Sequence, residues 1–229
     1  ITAEDIPDSL VGMVIRDMPV LARGKVRYIG EKVAAIAADD LDIANEALAA
    51  IDVEYEELPA VFDTAVGSAP GAPCVHDDPS VYGAPAQPGQ GTSPISQYAG
   101  TPLPLEGQPN VNARLYWSKG DIGAGFGLAT RVYEHTFSTK RVHHAYLEPH
   151  ACVVWIDHEG LVQVRATQKI PFALRRQLSD ATQLPPDQFV VHPMPVGGDF
   201  GGKASLMDTA LAYFLSKQSG QPVKMVMDY

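Results

Sequence analysis

The sequence predicts an α/β (α+β) protein built in two parts that are joined by a long connector. In the first part, an apolar run, a stretch with helical spacing and a stretch of alternating polarity follow one another. In the second part, two apolar strands flank a turn, and each of two later helical patterns is followed by a strand-like run. Patterns that switch between helix and strand in this way are typical of helices packed on a sheet.

The first part has the pattern of a small β-α-β unit. Residues 33–38 are an apolar run that ends at two aspartates, and we expect a strand there. A helix follows, with Asp39 as its N-cap and Asp42 in its electropositive first turn. In residues 51–55, apolar and acidic side chains alternate, which is the period of a strand with one wet face.

The connector is defined by its turn-forming composition. Residues 69–110 hold nine of the 19 prolines and six of the 20 glycines, with hardly any periodic apolar pattern. A structureless stretch of this length more often joins two domains than lies inside one. We therefore expect a first domain at 1–64, a connector at 65–111 and a second domain at 112–229.

The second part has the stronger pattern. We expect extended chain at 131–139, two strands at 151–156 and 161–166 around a four-residue hairpin turn, and a helix at 172–184 that Pro185 and Pro186 stop. A short strand at 189–191 leads into a glycine-rich loop. A second helix should run from about Ser205 to Gly220 as a left-handed stop, before a last strand at 223–227.

Composition excludes several classes of partner. The 229 residues carry a net charge of −10, so no concentrated positive patch is supplied for nucleic acid or an anionic membrane. The two cysteines cannot make a disulfide scaffold or a four-thiolate site, and a reducing compartment follows as the default, the cytoplasm with the periplasm left open. No apolar run could cross a bilayer. Because the chain begins at Ile1, we expect it to be a fragment or a split subunit.

The glycine-rich loop is the main functional signal. Residues 196–203 read Val-Gly-Gly-Asp-Phe-Gly-Gly-Lys, between a predicted strand and a predicted helix. So many glycines indicate that the backbone either comes very close to another group or takes positive φ at several positions. Amides exposed at a helix N-terminus would suit an anion or a negatively charged oxygen ligand. A tight turn that binds nothing is the alternative.

A phosphate-binding P-loop is a second alternative, because Gly197 through Lys203 fits G-x-x-x-x-G-K. The fit is partial. Ala204 stands where a Mg²⁺-binding hydroxyl should follow the lysine, no strand that ends in an acidic residue is apparent, and Phe200 places a ring inside the cradle.

Gln168 is a second candidate, because it follows a predicted strand at the carboxyl end, where α/β folds bind ligands. A capping or solvated glutamine is the alternative. His143, His144, Glu148, His150 and Cys152 could be a metal cluster, but their spacing does not favour one. Glu148 is more simply a carboxylate that holds neighbouring backbone, and Cys152 a buried, inert thiol.

Several blocks together resemble the molybdenum-binding large subunit of the xanthine dehydrogenase, aldehyde oxidase and carbon monoxide dehydrogenase family. Residues 24–34 and 53–61 look like the end of its α/β hammerhead domain, and 120–122 through 146–151 look like the entry to its molybdopterin-binding domain. Thr167-Gln168 and residues 196–203 match its two cofactor-contacting motifs. The blocks recur in order across nearly the whole chain.

The resemblance implies a molybdenum–pterin cofactor, in the molybdopterin cytosine dinucleotide form. It implies that Gln168 binds an oxygen ligand of molybdenum, and that the loop lies over the metal with its cofactor-binding residues Gly197, Gly198, Phe200, Gly201 and Gly202. No direct protein ligand to the metal and no catalytic residue is assigned, because the family's base is a glutamate far beyond the matching region. The resemblance also implies a [2Fe-2S] subunit and an FAD subunit as electron carriers, the rest of the molybdenum subunit, and a dimer of heteromers.

Two departures from the family pattern bear on function. Asp199 replaces a glycine, and its charge is unfavourable near an electron-rich centre unless it points away or pairs with a neighbour such as Lys203. Ala204 stands where purine-oxidising members carry a glutamate, which argues against xanthine. The resemblance implies hydroxylation of an aldehyde, an N-heterocycle or a similar small substrate with oxygen from water. A nucleotide-binding domain and a structural or assembly module remain the alternatives.

Overall fold

The computed structural model describes residues 1–12, 16–77, 110–111 and 119–228. In chain order the strands are β1 (Leu10–Val11), β2 (Met18–Pro19), β3 (Ala151–Ile156), β4 (Val162–Ala166), β5 (Phe189–His192) and β6 (Val223–Val226). The α-helices are α1 (Leu41–Ala49), α2 (Thr64–Gly67), α3 (Ile122–Leu128), α4 (Pro171–Thr182) and α5 (Thr209–Ser219). The mixture of helix and sheet confirms the predicted fold class.

A four-stranded sheet in the order β5-β4-β3-β6 organises the second part of the chain. Strands β3 and β4 form the predicted antiparallel hairpin, whose turn closes on Asp157 because its Oδ1 accepts hydrogen bonds from the amides of Glu159 and Leu161, both at 2.9 Å. Strand β6 adds to β3 antiparallel, while β5 lies parallel to β4. Helix α4 is therefore the crossover of a β4-α4-β5 unit, and α5 packs against β3 and β6.

The two long helices are set by apolar spacing and by left-handed stops. In α4, Leu174, Leu178 and Ala181 are fully buried, and the helix ends at Gln183, whose φ is 61°. It thus stops before the two prolines that were expected to end it. Helix α5 ends as predicted at Gly220. Its predicted start at about Ser205 is wrong, because 205–208 are not helical and the helix begins at Thr209.

The first part forms its helix but not its predicted strands. Helix α1 is capped by Asp40 rather than Asp39, since Asp40 Oδ1 accepts the Ile43 amide at 2.8 Å. Residues 33–38 form only an isolated bridge, between Ala34 and Thr2, and 51–55 are exposed without strand pairing in the described chain. A strand requires a neighbouring strand, and alternation alone does not supply one. The ribbon β1–β2 and the short helix α2 carried no recognised pattern.

One apolar core spans both parts. Ala3, Ile6, Val11, Leu21 and Ala35 belong to the same buried cluster as the inner faces of the sheet and of helices α4 and α5. A hydrogen bond of 2.8 Å from Ser9 Oγ to the Ala181 carbonyl and an ion pair of 2.6 Å between Lys32 Nζ and Asp208 Oδ1 add polar ties. The first residues of the chain therefore pack directly on the layer that carries the glycine-rich loop.

Several predicted segments lie outside the described residues or form no regular element there. Most of the predicted connector, 78–109, lies outside the described residues, as do 112–118. Residues 131–139 were expected to be extended, and within the described ranges they form no strand. Across the same ranges, no helix has both the length and the apolar character needed to traverse a lipid bilayer.

Candidate functional site

The sheet brings the two predicted site segments to one edge. Gln168 follows the carboxyl end of β4, and the glycine-rich loop follows the carboxyl end of its parallel neighbour β5. Parallel neighbours end at the same edge of a sheet, where α/β folds place ligands. Glu148 comes just before β3, which runs antiparallel to β4 and therefore begins at that edge. A backbone hydrogen bond of 3.1 Å, from the Lys169 amide to the Lys203 carbonyl, joins the two segments directly.

The carboxamide of Gln168 is buried and held in one orientation. Its Nε2 donates to the Ser205 carbonyl at 2.6 Å, and its Oε1 accepts from the Ile170 amide at 3.2 Å. The residue is 8% exposed. A carboxamide has two N–H donors and two acceptor lone pairs, so one donor and one lone pair remain beyond these bonds. The capping alternative is thus partly correct, because Gln168 does hold backbone, but capacity for a ligand is left.

The loop glycines are required for two different reasons. Gly198 and Gly201 have φ of 91° and 95°, a region that side chains rarely adopt. A Cβ at Gly197 would lie 2.7 Å from Glu148 Cβ, and one at Gly202 would lie 2.7 Å from Tyr146 Cε1. Gly197 and Gly202 are therefore explained by close packing against protein. The glycine pattern predicted close approach or positive φ without distinguishing them, and the family resemblance implied that all four glycines bind the cofactor.

Phe200 is held in a strained conformation with its ring in the open. Its φ is 44°, which a bulky residue adopts only when its surroundings impose it, and it is 74% exposed. Strain of this kind is concentrated at functional sites. Phe200 is therefore the large apolar group that the loop presents to whatever covers this edge.

Asp199 turns its carboxylate into the loop. Oδ2 accepts from the Gly201 amide at 2.9 Å and pairs with Lys169 Nζ at 2.5 Å, while Oδ1 accepts from the Lys203 amide at 2.6 Å. Lys169 first, and then these two amides, lower the pKa of Asp199 to about 2. The negative charge is neutralised as expected, but the partner ammonium belongs to Lys169 and not to Lys203, whose side chain is committed elsewhere.

Lys203 is fully buried and pairs with Glu148. Its Nζ donates to Glu148 Oε2 at 2.6 Å and lies 4.8 Å from the centroid of the Tyr146 ring. The same Oε2 accepts the Gly197 amide at 2.7 Å, which confirms the prediction that Glu148 holds neighbouring backbone. Lys203 and then Gly197 hold the pKa of Glu148 below its ordinary value.

Aromatic side chains form the floor under this ion pair. The Tyr146 hydroxyl hydrogen-bonds to Nε2 of the buried His150, and the His144 ring stacks on the Tyr146 ring at 6.0 Å. Burial lowers the pKa of His150, so its ring is neutral near pH 7. Burial also raises the pKa of the Cys152 thiol to about 12, which confirms the prediction of an inert thiol.

Two features predicted for the loop are wrong. The loop is not at a helix N-terminus, because α5 begins only at Thr209. The P-loop alternative fails for the same reason, and because the Lys203 ammonium is enclosed and already paired. Within the described residues, no group of three or more His, Cys, Asp or Glu could hold a metal ion.

Some loop amides keep their capacity for a ligand. The amides of Gly201 and Lys203 bond Asp199, and that of Gly197 bonds Glu148. Among the described residues, the amides of Gly198 and Phe200 donate no hydrogen bond. With the spare donor of Gln168, they suit electron-rich oxygens at this edge. This donor set fits an oxygen-rich cofactor such as a molybdenum–pterin group.

Sequence reasoning predicted that Glu148 holds backbone but missed Lys169 as the partner of Asp199 and Lys203 as the partner of Glu148. The signal for Lys169 was its place next to Gln168, together with the unpaired charge of Asp199. Using that signal requires the knowledge that β4 and β5 are parallel neighbours, which no local pattern contains.

Two family models match the chain. The molybdopterin cofactor-binding domain matches residues 105–229. The a/b hammerhead domain of aldehyde oxidase and xanthine dehydrogenase matches residues 1–59. Both matches agree with the resemblance, which was drawn from residues 24–34 and 53–61 for the hammerhead domain and from 120–203 for the cofactor domain.

Curated relatives match nearly all of the chain. The nicotinate dehydrogenase large molybdopterin subunit of Eubacterium barkeri is 30% identical over 94% of the chain and 44% of its own length. The carbon monoxide dehydrogenase large chain of Hydrogenophaga pseudoflava is 29% identical over 91% of the chain and 24% of its own length. The chain thus spans less than half the length of these relatives.

Solved structures share the fold. The Cu,Mo-CO dehydrogenase matches 100% of the chain and 28% of its own chain, with 27% identity and a TM-score of 0.74. Quinoline 2-oxidoreductase from Pseudomonas putida 86 matches 100% of the chain and 27% of its own, with 25% identity and a TM-score of 0.75. Because the molybdopterin model alone matches residues 105–229, more than half of the sequence, the chain belongs to the molybdenum hydroxylase family of xanthine dehydrogenases, aldehyde oxidases and carbon monoxide dehydrogenases.

Proposed function

We propose that this chain is the cofactor-holding part of a molybdenum hydroxylase that oxidises an aldehyde, an N-heterocycle or a similar small substrate with oxygen from water. One observation carries the proposal. The buried carboxamide of Gln168 and the loop amides of Gly198 and Phe200 lie at the same edge of the sheet, and within the described residues each has a donor without a hydrogen-bond partner. Family membership supports the same site, since the matching model describes molybdopterin binding.

The site residues divide into two groups in this proposal. Gln168, Gly198, Phe200 and Gly201 would hold the cofactor through the spare carboxamide donor, the free amides, the exposed ring and open backbone. Gly197 and Gly202 would act indirectly, since their lack of a side chain lets Glu148 and Tyr146 approach the loop. When bound, the cofactor supplies two-electron oxidation chemistry with oxygen drawn from water. Preorganised amides stabilise negative charge there at no further cost of reorientation.

The rest of the enzyme belongs to the same proposal. We place the hammerhead part at 1–64, a connector at 65–111 and the start of the molybdopterin-binding part at 112–229. The cofactor would be molybdopterin cytosine dinucleotide, and [2Fe-2S] and FAD subunits would carry the electrons away in a dimer of heteromers. The catalytic base would come from the remainder of the molybdenum subunit. Ala204, in the place of a glutamate, favours a substrate other than xanthine.

Metal and pterin analysis of the purified complete complex tests the proposal. We expect about one molybdenum and one pterin per molybdenum subunit, with the released pterin identified as a cytosine dinucleotide by mass spectrometry. An active complex without molybdenum would overturn the proposal. A folded complex with neither cofactor nor activity would favour a structural or assembly role.

A comparison of two single variants of the complete complex tests whether Gln168 belongs to the site. Gln168→Ala should lower kcat by about a hundredfold, which is typical of the loss of one preorganised donor, without unfolding the complex. Gln218→Ala changes an exposed glutamine at the end of α5 and is the matched control. Equal kinetics for the Gln168 variant and the control would remove Gln168 from the site.

A further inference from the structure

We propose that Glu148 is a positioning residue that closes the glycine-rich loop into a ring by holding Gly197, near its start, and Lys203, at its end, with a single carboxylate oxygen. The inference rests on the proposed function for its consequence, because the ring would determine where the free amides of Gly198 and Phe200 face. Glu148 would not touch the cofactor. It would act through Gly197 and Lys203, and we call these three residues the clip.

The clip is defined by short contacts to one atom. Glu148 Oε2 accepts the Gly197 amide at 2.7 Å and the Lys203 ammonium at 2.6 Å. The Glu148 amide donates in return to the Gly197 carbonyl at 3.4 Å. Both the amide and the carbonyl of Gly197 are therefore hydrogen-bonded to Glu148. Gly197 has no room for a Cβ against Glu148, which means that the close approach is built into the sequence.

Burial makes the clip a strong restraint. The Lys203 side chain is 0% exposed, and a buried ammonium requires a counter-charge. The face of the Tyr146 ring, 4.8 Å away, adds a cation–π contact. Tyr146 is itself fixed by its hydrogen bond to His150. Lys203 therefore cannot swing away from Glu148 into water without leaving an enclosed site.

A second carboxylate restrains the middle of the loop independently. Asp199 bonds the amides of Gly201 and Lys203 and pairs with Lys169 outside the loop. The two carboxylates bind the amides of Gly197, Gly201 and Lys203, and the Gly202 amide donates to the Asp199 carbonyl at 2.7 Å. The amides of Gly198, Asp199 and Phe200 donate no hydrogen bond in the described chain. The division into bonded and free amides follows from the clip and from Asp199 together.

The test compares single and paired substitutions in the complete complex. Glu148→Gln leaves the buried ammonium of Lys203 without a counter-charge, and we expect lower thermal stability. Glu148→Met combined with Lys203→Met removes both charges together with the acceptor of the Gly197 amide, and we expect stability to return because an apolar pair of similar volume is tolerated. Glu159→Met with Lys217→Met removes one exposed charge of each sign and is the matched control.

Hydrogen exchange reports on the clip whether or not cofactor is bound. In the stability-restored double variant, we expect residues 196–203 to exchange about tenfold faster than in the control, as for the loss of one net hydrogen bond. We also expect lower molybdenum occupancy and an altered electron paramagnetic resonance spectrum of the bound metal. A role in stability alone would leave both unchanged.

The possible outcomes are distinguishable. Wild-type exchange in the double variant would overturn the clip, even in a complex that carries molybdenum. Faster exchange with wild-type occupancy and spectrum would also overturn it, because the clip would then position nothing. A wild-type complex that lacks molybdenum would instead refute the proposed function, and the exchange measurement would still decide whether Glu148 holds the loop.

Discussion

At the residue scale, Asp199 shows how a charge can be accommodated beside a site that favours electron-rich ligands. Its carboxylate is turned inwards, where Lys169 and two loop amides bind both oxygens. Reversing its direction would expose a negative charge on the face that Phe200 and Gly198 present. The carboxylate thus replaces the flexibility of a glycine with a fixed loop, and Lys169 balances its charge.

The low pKa of Asp199 gives a prediction about pH. A folded pKa of about 2, below the ordinary 3.8, stabilises the loop fully above pH 3.8, and this contribution is lost as pH falls through about 2. In Asp199→Asn we expect faster hydrogen exchange of residues 199–203 than in wild type at about pH 5, after correction for intrinsic rates. The difference should narrow towards about pH 2.

Asp187→Asn is the control for that measurement, because Asp187 is an exposed aspartate in a short turn before β5. It should exchange like wild type at every pH. If the ratio of the exchange rates of Asp199→Asn and wild type stayed constant from about pH 5 down to about pH 2, the charge of Asp199 would not be what stabilises the loop.

The residues of the candidate site could be predicted from the sequence, but the contacts among them could not. Gln168 and the glycines were recognised by their residue type and by their position directly after predicted strands. The partners of Asp199 and Lys203 could not be predicted, because Lys169 and Glu148 are 30 and 55 residues away in sequence from the groups that they bind. Such contacts depend on which strands are neighbours, and that is decided by the whole sheet.

At the element scale, the two long helices offer a matched test of helix termination. Helix α4 ends at Gln183 with φ of 61°, and α5 ends at Gly220 with φ of 68°. Both terminal amides donate to a serine carbonyl at 2.9 Å. The left-handed conformation is unfavourable for glutamine by about 1 kcal/mol and costs glycine little.

Gln183→Gly should therefore stabilise the chain by about 0.5–1 kcal/mol, and Gly220→Ala should destabilise it by about 1 kcal/mol. No atom lies within 4 Å of a Cβ built on Gly220, so the loss would come from the backbone alone. The midpoint of urea unfolding of the complete subunit, followed by tryptophan fluorescence, measures both changes. Shifts in the same direction would show that the helix ends do not control these stops.

Elements with a strong local pattern were predicted well, including β5 and β6, whose ends were predicted to within one residue although they pair with distant strands. The hairpin β3–β4 was predicted to within one residue, because its turn and both strands lie in one stretch of chain. Residues 33–38 and 51–55 have strand-like composition but no strand to pair with in the described chain. The β1–β2 ribbon pairs only Leu10 with Pro19 and Val11 with Met18, which is too short for a periodic signal.

At the scale of the whole molecule, the first residues and the loop-bearing layer are tied by charge as well as by the shared core. Lys32 Nζ lies 2.6 Å from Oδ1 of Asp208, whose side chain is 13% exposed. That oxygen accepts no well-aligned hydrogen bond among the described residues, so the attraction is one of charge. Asp208 is also the N-cap residue of α5 and follows the last residue of the glycine-rich loop by five positions in the sequence.

We predict that Lys32→Met destabilises the complete subunit by about 1–2 kcal/mol, because it leaves a mostly buried carboxylate unpaired. Adding Asp208→Asn should recover part of the loss, so the double variant should be more stable than the sum of the single changes indicates. Urea midpoints for the four members of this cycle give the coupling energy. Strict additivity would show that the ion pair contributes nothing.

The crossover from β4 through α4 to β5 has a consequence for engineering. It places Gln168 and the glycine-rich loop after the ends of two adjacent parallel strands, and the 12-residue helix between them also contributes Leu174, Leu178 and Ala181 to the core. A replacement for residues 171–188 that keeps this buried face and the register of the two strands should preserve the positions of Gln168 and the loop. A shift of two residues in the pairing of β4 with β5 would move Gln168 and the loop apart by about 7 Å, the rise of two residues in a strand. A graft of this edge into another scaffold would therefore have to carry the two aligned strand ends together with Glu148, which holds the loop from the start of β3.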